Sequence, residues 1–249
     1  MKIQSMTGYG EVKRGGICCE VKSWNHRFFN PIISIPEKLG GYEIRIKNLV
    51  QKYIPRGSVF LKLYFTDGAI EPDFEKIQKY YIYLTKIRQK FKIEEKLPIE
   101  FLLKLKKEPE VKWEEVKEII IEALKKLVKM REEEGGKIQK EIEKRVKKIE
   151  TWLTLIKKKE KNTVTKKETE VVEGSFTEEV TRIGFHLREF KKKIKSQKPR
   201  GKFLIFLLQE IQREVNVIPM KCKEIEVVQR VVRIKEELEN IREQLENLS

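Results

Sequence analysis

Residues 40–65, GGYEIRIKNLVQKYIPRGSVFLKLYF, change their hydrophobic period part-way along, and that change decides the fold of the first part of the chain. Tyr42, Ile46, Leu49 and Val50 recur at helical spacing, whereas Val59, Leu61, Leu63 and Phe65 alternate as one face of a strand. Pro55-Arg56-Gly57 turns one into the other, since proline cannot continue a helix and glycine frees the backbone. Upstream, KIQSMTGYGEVK (2–13) and GICCEVKSWN (16–25) flank Arg14-Gly15-Gly16, a hairpin signal. FFNPIISIP (28–36) reads as a third extended segment, which Pro31 and Pro36 place near an edge or bulge. A β-β-β-α-β unit results.

From residue 72 the pattern is helical. DFEKIQKYYIYLTKIRQKF (73–91) is one helix, and EEKLPIEFLLKL (94–105) a short connection and helix. A long helix follows from Trp113 to Lys161, which Gly135-Gly136 are expected to bend, each glycine costing about 1 kcal/mol in a helix interior. Lys157–Ser175, rich in Lys, Thr and Glu, is the expected linker. The organisation is therefore α+β: an N-terminal α/β domain with a long helical extension (1–156), a linker (157–175) and an all-α C-terminal domain (176–249). In the last of these, Val227, Val231, Ile234, Leu238, Ile241, Leu245 and Leu248 form a seam of heptad character. Spacing alone does not say whether its partner lies in the same chain. Leu204, Leu208, Ile211, Val215 and Ile218 repeat similarly upstream, and Pro219 is expected to interrupt the helix there.

Charge is unevenly spread. The net +16 lies in residues 1–199, because residues 200–249 hold nine basic and nine acidic side chains. Residues 144–198 carry 17 basic against 8 acidic residues, a local +9. A basic body beside a neutral tail suggests a polyanion, nucleic acid before anionic membrane, unless it is the Lys-rich surface of a heat-adapted protein. Cys18, Cys19 and Cys222 have no metal-ligand spacing and read as reduced, cytoplasmic thiols. The N-terminus has no apolar signal core and no stretch approaches 18 apolar residues, so a soluble protein without membrane contact is expected.

Two histidines stand out for neutral-pH proton transfer: His26 in Asn25-His26-Arg27, and His186 in TEEVTRIGFHLREF (177–190). Both could equally be ordinary polar residues at element ends. On the helix over 202–218, the apolar seam leaves the other faces to Gln209, Glu210, Gln212, Arg213, Glu214 and Asn216. Glu210 and Glu214, one turn apart, can share a divalent cation, and Arg213 can hold a phosphate oxygen. Glu178, Glu179 and Arg182 offer a second such group, with His186 one turn beyond Arg182. The alternative is a charged helix face making surface ion pairs.

Taken in order, SMTGYG, EVKSWNHRFFN, YEIR…PRGSV, EALKKLVKMREEEG, TEEVTRIGFHLREF, RGKFLIFLLQEIQREVN and RIKEELENIREQLENL resemble the YicC/YloC family over nearly the whole chain. The resemblance implies a bacterial cytoplasmic homo-oligomer, a hexamer, with endoribonuclease activity on single-stranded RNA and a divalent metal, Mn²⁺ or Mg²⁺, as cofactor. It marks Asn25, His26 and Arg27; Arg56 and Gly57; Glu178, Glu179, Arg182 and His186; and Gln209, Glu210, Arg213, Glu214 and Asn216. From these, His26, Glu210, Arg213, Glu214 and His186 are the candidate catalytic residues, His186 ranking below His26. Asn25, Arg27, Arg56, Arg182 and Asn216 are expected to bind RNA. Glu210, Glu214, Glu178 and Glu179 are expected to hold the metal. This chain departs from the family pattern in a shorter stretch before GSFTEE, in VIPMKC after Asn216, and in Gly174-Ser175-Phe176 where an acidic residue usually stands.

Three functions compete: an RNA-cleaving enzyme, a non-catalytic oligomeric RNA-binding adaptor or chaperone, and a coiled-coil assembly factor. The basic 144–198 region argues against the last. Only the Glu–Arg–His groups favour catalysis over the adaptor.

Overall fold

A computed structural model describes residues 3–66, 71–92, 105–107, 109–166, 175–196 and 201–248. They form two compact units, Gly8–Val128 and Met1–Thr7 with Lys129–Ser249.

In the first unit, β1 (Gly8–Arg14) and β2 (Ile17–Trp24) pair antiparallel with Arg14 opposite Ile17. Gly15 and Gly16 close the hairpin with φ of 56° and 77°, the double positive φ that a two-residue turn matching the strand twist demands. The chain continues through β3 (Phe29–Ser34), a 3₁₀ turn (Glu37–Tyr42), α1 (Glu43–Tyr53) and β4 (Gly57–Phe65). The sheet order is β1-β2-β4-β3, with β4 antiparallel to β2 and parallel to β3. Pro31 therefore lies on an edge strand, where its missing N–H costs no ladder bond. The α1 crossover is what a parallel β3–β4 pair requires. One sheet face buries Val12, Cys19, Val21, Val59, Leu61 and Leu63 against Ile46 and Val50 of α1 and Ile120 and Leu124 of α3 (Trp113–Lys166). Strand and helix approach closely at Gly10, where a Cβ would come within 2.1 Å of the Ala123 carbonyl.

The described residues after 72 are mainly helical, with one addition. The short strands β5 (Glu71–Pro72) and β6 (Lys106–Lys107) pair and bracket α2 (Phe74–Phe91), whose first turn is capped by Asp73 accepting from the Lys76 N–H at 3.1 Å. The helix expected within 94–105 falls almost wholly outside the described residues.

The second unit packs the later part of α3 with α4 (Thr177–Ile194), α5 (Gly201–Lys221) and α6 (Ile225–Glu246). Ile142, Ile149, Phe190, Ile211, Ile234 and Ile241 lie at its centre. Val227, Val231, Ile234, Leu238, Ile241 and Leu245 are all buried in this core, so the heptad seam finds its partners within its own chain. Helix α5 runs through Pro219 to Lys221, which moves the corner to Cys222–Glu224. α3 likewise continues through Gly135-Gly136. Gly135 is explained by a close approach, since a Cβ there would meet the Ile3 carbonyl at 2.6 Å. That N-terminal segment is fixed by Arg131 Nε donating to the Ser5 carbonyl at 2.6 Å and by Met6 N–H donating to the Asn247 carbonyl at 2.9 Å.

The two units divide at Val128–Lys129, inside α3, whereas 157–175 was expected to separate the domains. Residues 157–166 prolong α3, and 167–174 lie outside the described residues. Polar composition suggested a linker there, but Lys and Glu are also good helix formers.

Candidate functional site

The first group of functional candidates sits at one end of the four-stranded sheet. Trp24 ends β2 opposite Ser58, and Phe29 begins β3 opposite Gly57, so residues 25–28 must cross beside the turn that delivers Arg56. Gly57 makes this possible: its φ is +110°, and a Cβ would sit 3.1 Å from the Trp24 carbonyl. Its N–H donates to the Phe28 carbonyl at 3.3 Å, tying turn to loop. Asn25, His26, Arg27 and Arg56 are all exposed. The Arg27 guanidinium lies 5.2 Å from the centroid of the Phe28 ring. Among the described residues neither Arg27 nor Arg56 has a carboxylate partner, unlike Arg14, Arg145, Arg182, Arg213 and Arg242.

His26 is held by its own loop. Nδ1 lies 2.9 Å from the Phe28 carbonyl and 3.3 Å from the Phe28 N–H. A protonated Nδ1 donates to the carbonyl and a bare Nδ1 accepts from the N–H. Both ring forms are thus supported in one place, and Nε2 has no protein partner among the described residues.

The second group lies on α4 and α5 of the other unit. Arg182 Nη1 donates to Glu214 Oε1 at 3.2 Å, and the same guanidinium pairs with Glu178. Arg213 Nη1 pairs with Glu210 Oε1 at 2.8 Å, and Gln212 donates to Asn216 Oδ1 at 3.2 Å. Glu178, Arg182 and Glu214 are therefore brought together, while Glu210 and Arg213 form a neighbouring pair along α5. Glu179 is buried and ties the helices differently, accepting from Lys221 Nζ at 2.6 Å. Burial would raise its pKa, but the Lys221 hydrogen bond, its own backbone N–H and the charges of Lys221 and Arg182 hold it below the ordinary glutamate value. Its Oε2 remains buried without a partner. His186 also has a buried, unpartnered Nδ1, and its ring meets Phe185 edge-on at 5.6 Å.

The carboxylates of Glu178, Glu179, Glu210 and Glu214 offer the hard oxygen donors that Mg²⁺ and Mn²⁺ favour, and the orphaned Glu179 Oε2 is an unused one. They are not assembled as a site: each is engaged by Arg182, Arg213 or Lys221. Among the described residues the one trio with ligand atoms within 4.8 Å of one another is Glu11, Cys18 and Glu20 on the sheet. Sequence spacing hid it, because the β1–β2 register is what places Glu11 opposite Glu20. Cys18 donates there to Glu11 Oε1 at 3.6 Å, and burial raises its pKa, keeping it a thiol and a weak metal ligand.

Among the described residues no helix is long and apolar enough to cross a membrane. Residues 3–140 match the endoribonuclease YicC-like N-terminal region, and residues 127–249 the endoribonuclease YicC-like C-terminal family. A relative from Clostridioides difficile (strain 630), described as probable endoribonuclease YicC, is 27% identical over 289 aligned residues, covering 98% of this chain and 99% of its own length. That alignment is longer than the 249 residues here, so the relative carries some tens of positions this chain lacks. With the two matched regions overlapping along α3 and together covering the chain from residue 3 onward, this protein belongs to the YicC-like endoribonuclease family.

Proposed function

We propose that this chain cleaves phosphodiester bonds within single-stranded RNA, with the His26 loop at the centre of the activity. The observation that carries this reading is the double support of His26 Nδ1, donor to one Phe28 backbone group and acceptor from the other, beside Arg27 and Arg56. With Nδ1–H donated to the Phe28 carbonyl, the ring can take up and release a proton at Nε2, passing between imidazole and imidazolium without reorienting, which is what a relay needs. Arg27 and Arg56, without a carboxylate partner among the described residues, hold the phosphate, and Asn25 adds polar contact to the RNA strand. On the other unit, Arg213, whose side chain is 74% exposed, is the candidate for offsetting charge on an RNA phosphate.

Glu210 and Glu214 are the proposed holders of a divalent cation, Mn²⁺ or Mg²⁺, with Glu178 and Glu179 as further donors. When bound, the ion would supply positive charge toward an RNA phosphate. Support comes from the carboxylate spacing and the orphaned Glu179 oxygen, and binding requires Arg182 to release Glu214. His186, with Nδ1 buried beside Phe185, ranks below His26 for proton transfer, and Arg182 and Asn216 join RNA binding in this reading.

The protein is further read as a cytoplasmic homo-oligomer, a hexamer in keeping with the resemblance. α2 has no buried residue, and Tyr80, Tyr83, Ile87 and Phe91, which share one face at helical spacing, are all exposed, an apolar surface suited to a neighbouring copy. The non-catalytic RNA adaptor keeps one supporting observation, the ion-paired state of every candidate metal carboxylate. End-labelled single-stranded RNA incubated with the protein, with EDTA and with added Mn²⁺ or Mg²⁺, separates the readings: fragments of defined length mark the enzyme, and binding without fragments marks the adaptor.

A further inference from the structure

The face of the four-stranded sheet turned away from α1 and α3 should be charged and wet if it served only to cover the core. Instead, one register row crosses all four strands as Tyr9, Lys22, Phe60 and Ile32. Tyr9 is 37% exposed, Ile32 45%, and Trp24, two residues along β2 from Lys22 on the same face, 40%. Lysines are set among these rings: Lys22 Nζ lies 5.6 Å from the Tyr9 centroid and Lys62 Nζ 5.0 Å from that of Tyr64. The two acidic residues of the face are occupied. Tyr9 donates to Glu11 and Tyr64 to Glu20, each at 2.9 Å, and Lys13 pairs with Glu11 at 2.7 Å. Lys13 and, at 3.9 Å, Lys22 offset these two carboxylates, and Lys62 is left in excess on the face.

Resting on the reading of the chain as an RNA-cleaving protein, we propose that this sheet face is a stacking platform for the bases of single-stranded RNA. Tyr9, Trp24 and Phe60 supply π-faces, while Lys22 and Lys62 contact the phosphates. Aromatic rings interleaved with cations on an open sheet are the chemistry that holds unpaired bases without regard to sequence, because every base has a π-face. A duplex, whose bases are already stacked, gains nothing from the rings. The platform also has a direction. Trp24 is followed immediately by Asn25-His26-Arg27, so a strand laid across it leads into the proposed cleavage loop.

The test uses the full-length protein and two probes, a 12-nucleotide oligo(A) and an abasic ribose-phosphate oligomer of the same length. Wild type is expected to bind oligo(A) at least about tenfold more tightly than the abasic probe, as stacking of one base predicts. The Tyr9→Leu/Trp24→Leu variant, which keeps apolar bulk and removes the rings, should lose that preference while its residual binding stays salt-dependent. Oligo(A) should also quench tryptophan fluorescence in wild type, and Trp24→Phe should remove the quench, a readout that stands even if the double variant does not fold. Equal affinity of wild type for both probes would overturn the proposal. So would an unchanged preference in the folded double variant, or a changed oligomer size with RNA preference intact, which would assign the face to a subunit contact. Cleavage measured on the same samples separates the two readings. Loss of base preference with no wild-type cleavage sinks the enzyme and keeps the platform, and cleavage without base preference does the reverse.

Discussion

The Gly57 N–H donates to the Phe28 carbonyl, and that carbonyl is also 2.9 Å from Nδ1 of His26. One acceptor thus joins the turn carrying Arg56 to the loop carrying the imidazole. Any side chain at position 57 would have to accept φ of +110° and crowd the Trp24 carbonyl. Gly57→Ala is therefore expected to impair RNA cleavage more than it lowers the melting temperature, and activity assays beside thermal unfolding check it.

Among the described residues Arg27 and Arg56 hold no carboxylate, and in the proposed reading their charge meets RNA phosphates. Each Arg→Ala change should weaken RNA affinity and reduce the slope of log affinity against log salt by about 1. Titrations between about 50 and 200 mM salt measure this. An unchanged slope in both variants removes them from the phosphate contacts.

The carboxylate proposal makes a separable claim. EDTA should stop cleavage, added Mn²⁺ or Mg²⁺ should restore it, and Glu210→Gln should abolish the restoration while RNA binding and oligomer size persist. Cleavage that survives EDTA would leave Glu210 and Glu214 as ion-pair partners of Arg213 and Arg182 and nothing more.

Glu237 of α6 is nearly buried and accepts from Arg145 at 2.6 Å and Lys148 at 2.9 Å, both on α3. Burial would raise its pKa, but the hydrogen bonds from Lys148 and Arg145 outweigh this and hold it below the ordinary glutamate value. The unfolded chain then binds the proton more readily than the folded one. The stabilisation is complete above the unfolded pKa of about 4.3 and is lost as pH falls through the folded value. Glu237→Gln should cost about 2 kcal/mol at neutral pH and flatten the acid limb of the stability curve. Thermal unfolding from neutral to acid pH tests both.

Assembly is tested on α2. Because the α6 seam is satisfied within its own chain, Ile241→Asp/Leu245→Asp should unfold the C-terminal unit. Tyr83→Asp/Phe91→Asp should instead reduce oligomer size with helicity retained. Size-exclusion chromatography with circular dichroism distinguishes the two outcomes.

Much of the fold was legible because period and punctuation agree. The Gly15-Gly16 turn, the alternation of Val59 to Phe65, and the α6 seam each follow from local spacing. What spacing missed is long-range. Nothing local announces that Ile3 will pack against Gly135, and Lys/Glu-rich 157–166, read from composition as part of a linker, is helical. The candidate residues, His26 and Arg56 included, stand out in the sequence by residue type and motif. Their relations do not: Arg182 proved to be the partner of Glu214 across two helices, and the Glu11–Glu20 and Tyr9–Lys22 pairs exist only through strand register.

The most direct test of the account is His26→Ala on end-labelled single-stranded RNA, with cleavage rate and RNA affinity measured on one preparation. Loss of a relay at Nε2 should slow cleavage by about 10²–10⁴-fold while affinity and oligomer size hold, as general acid–base catalysis predicts. Cleavage at the wild-type rate in His26→Ala would contradict the central role given to this loop.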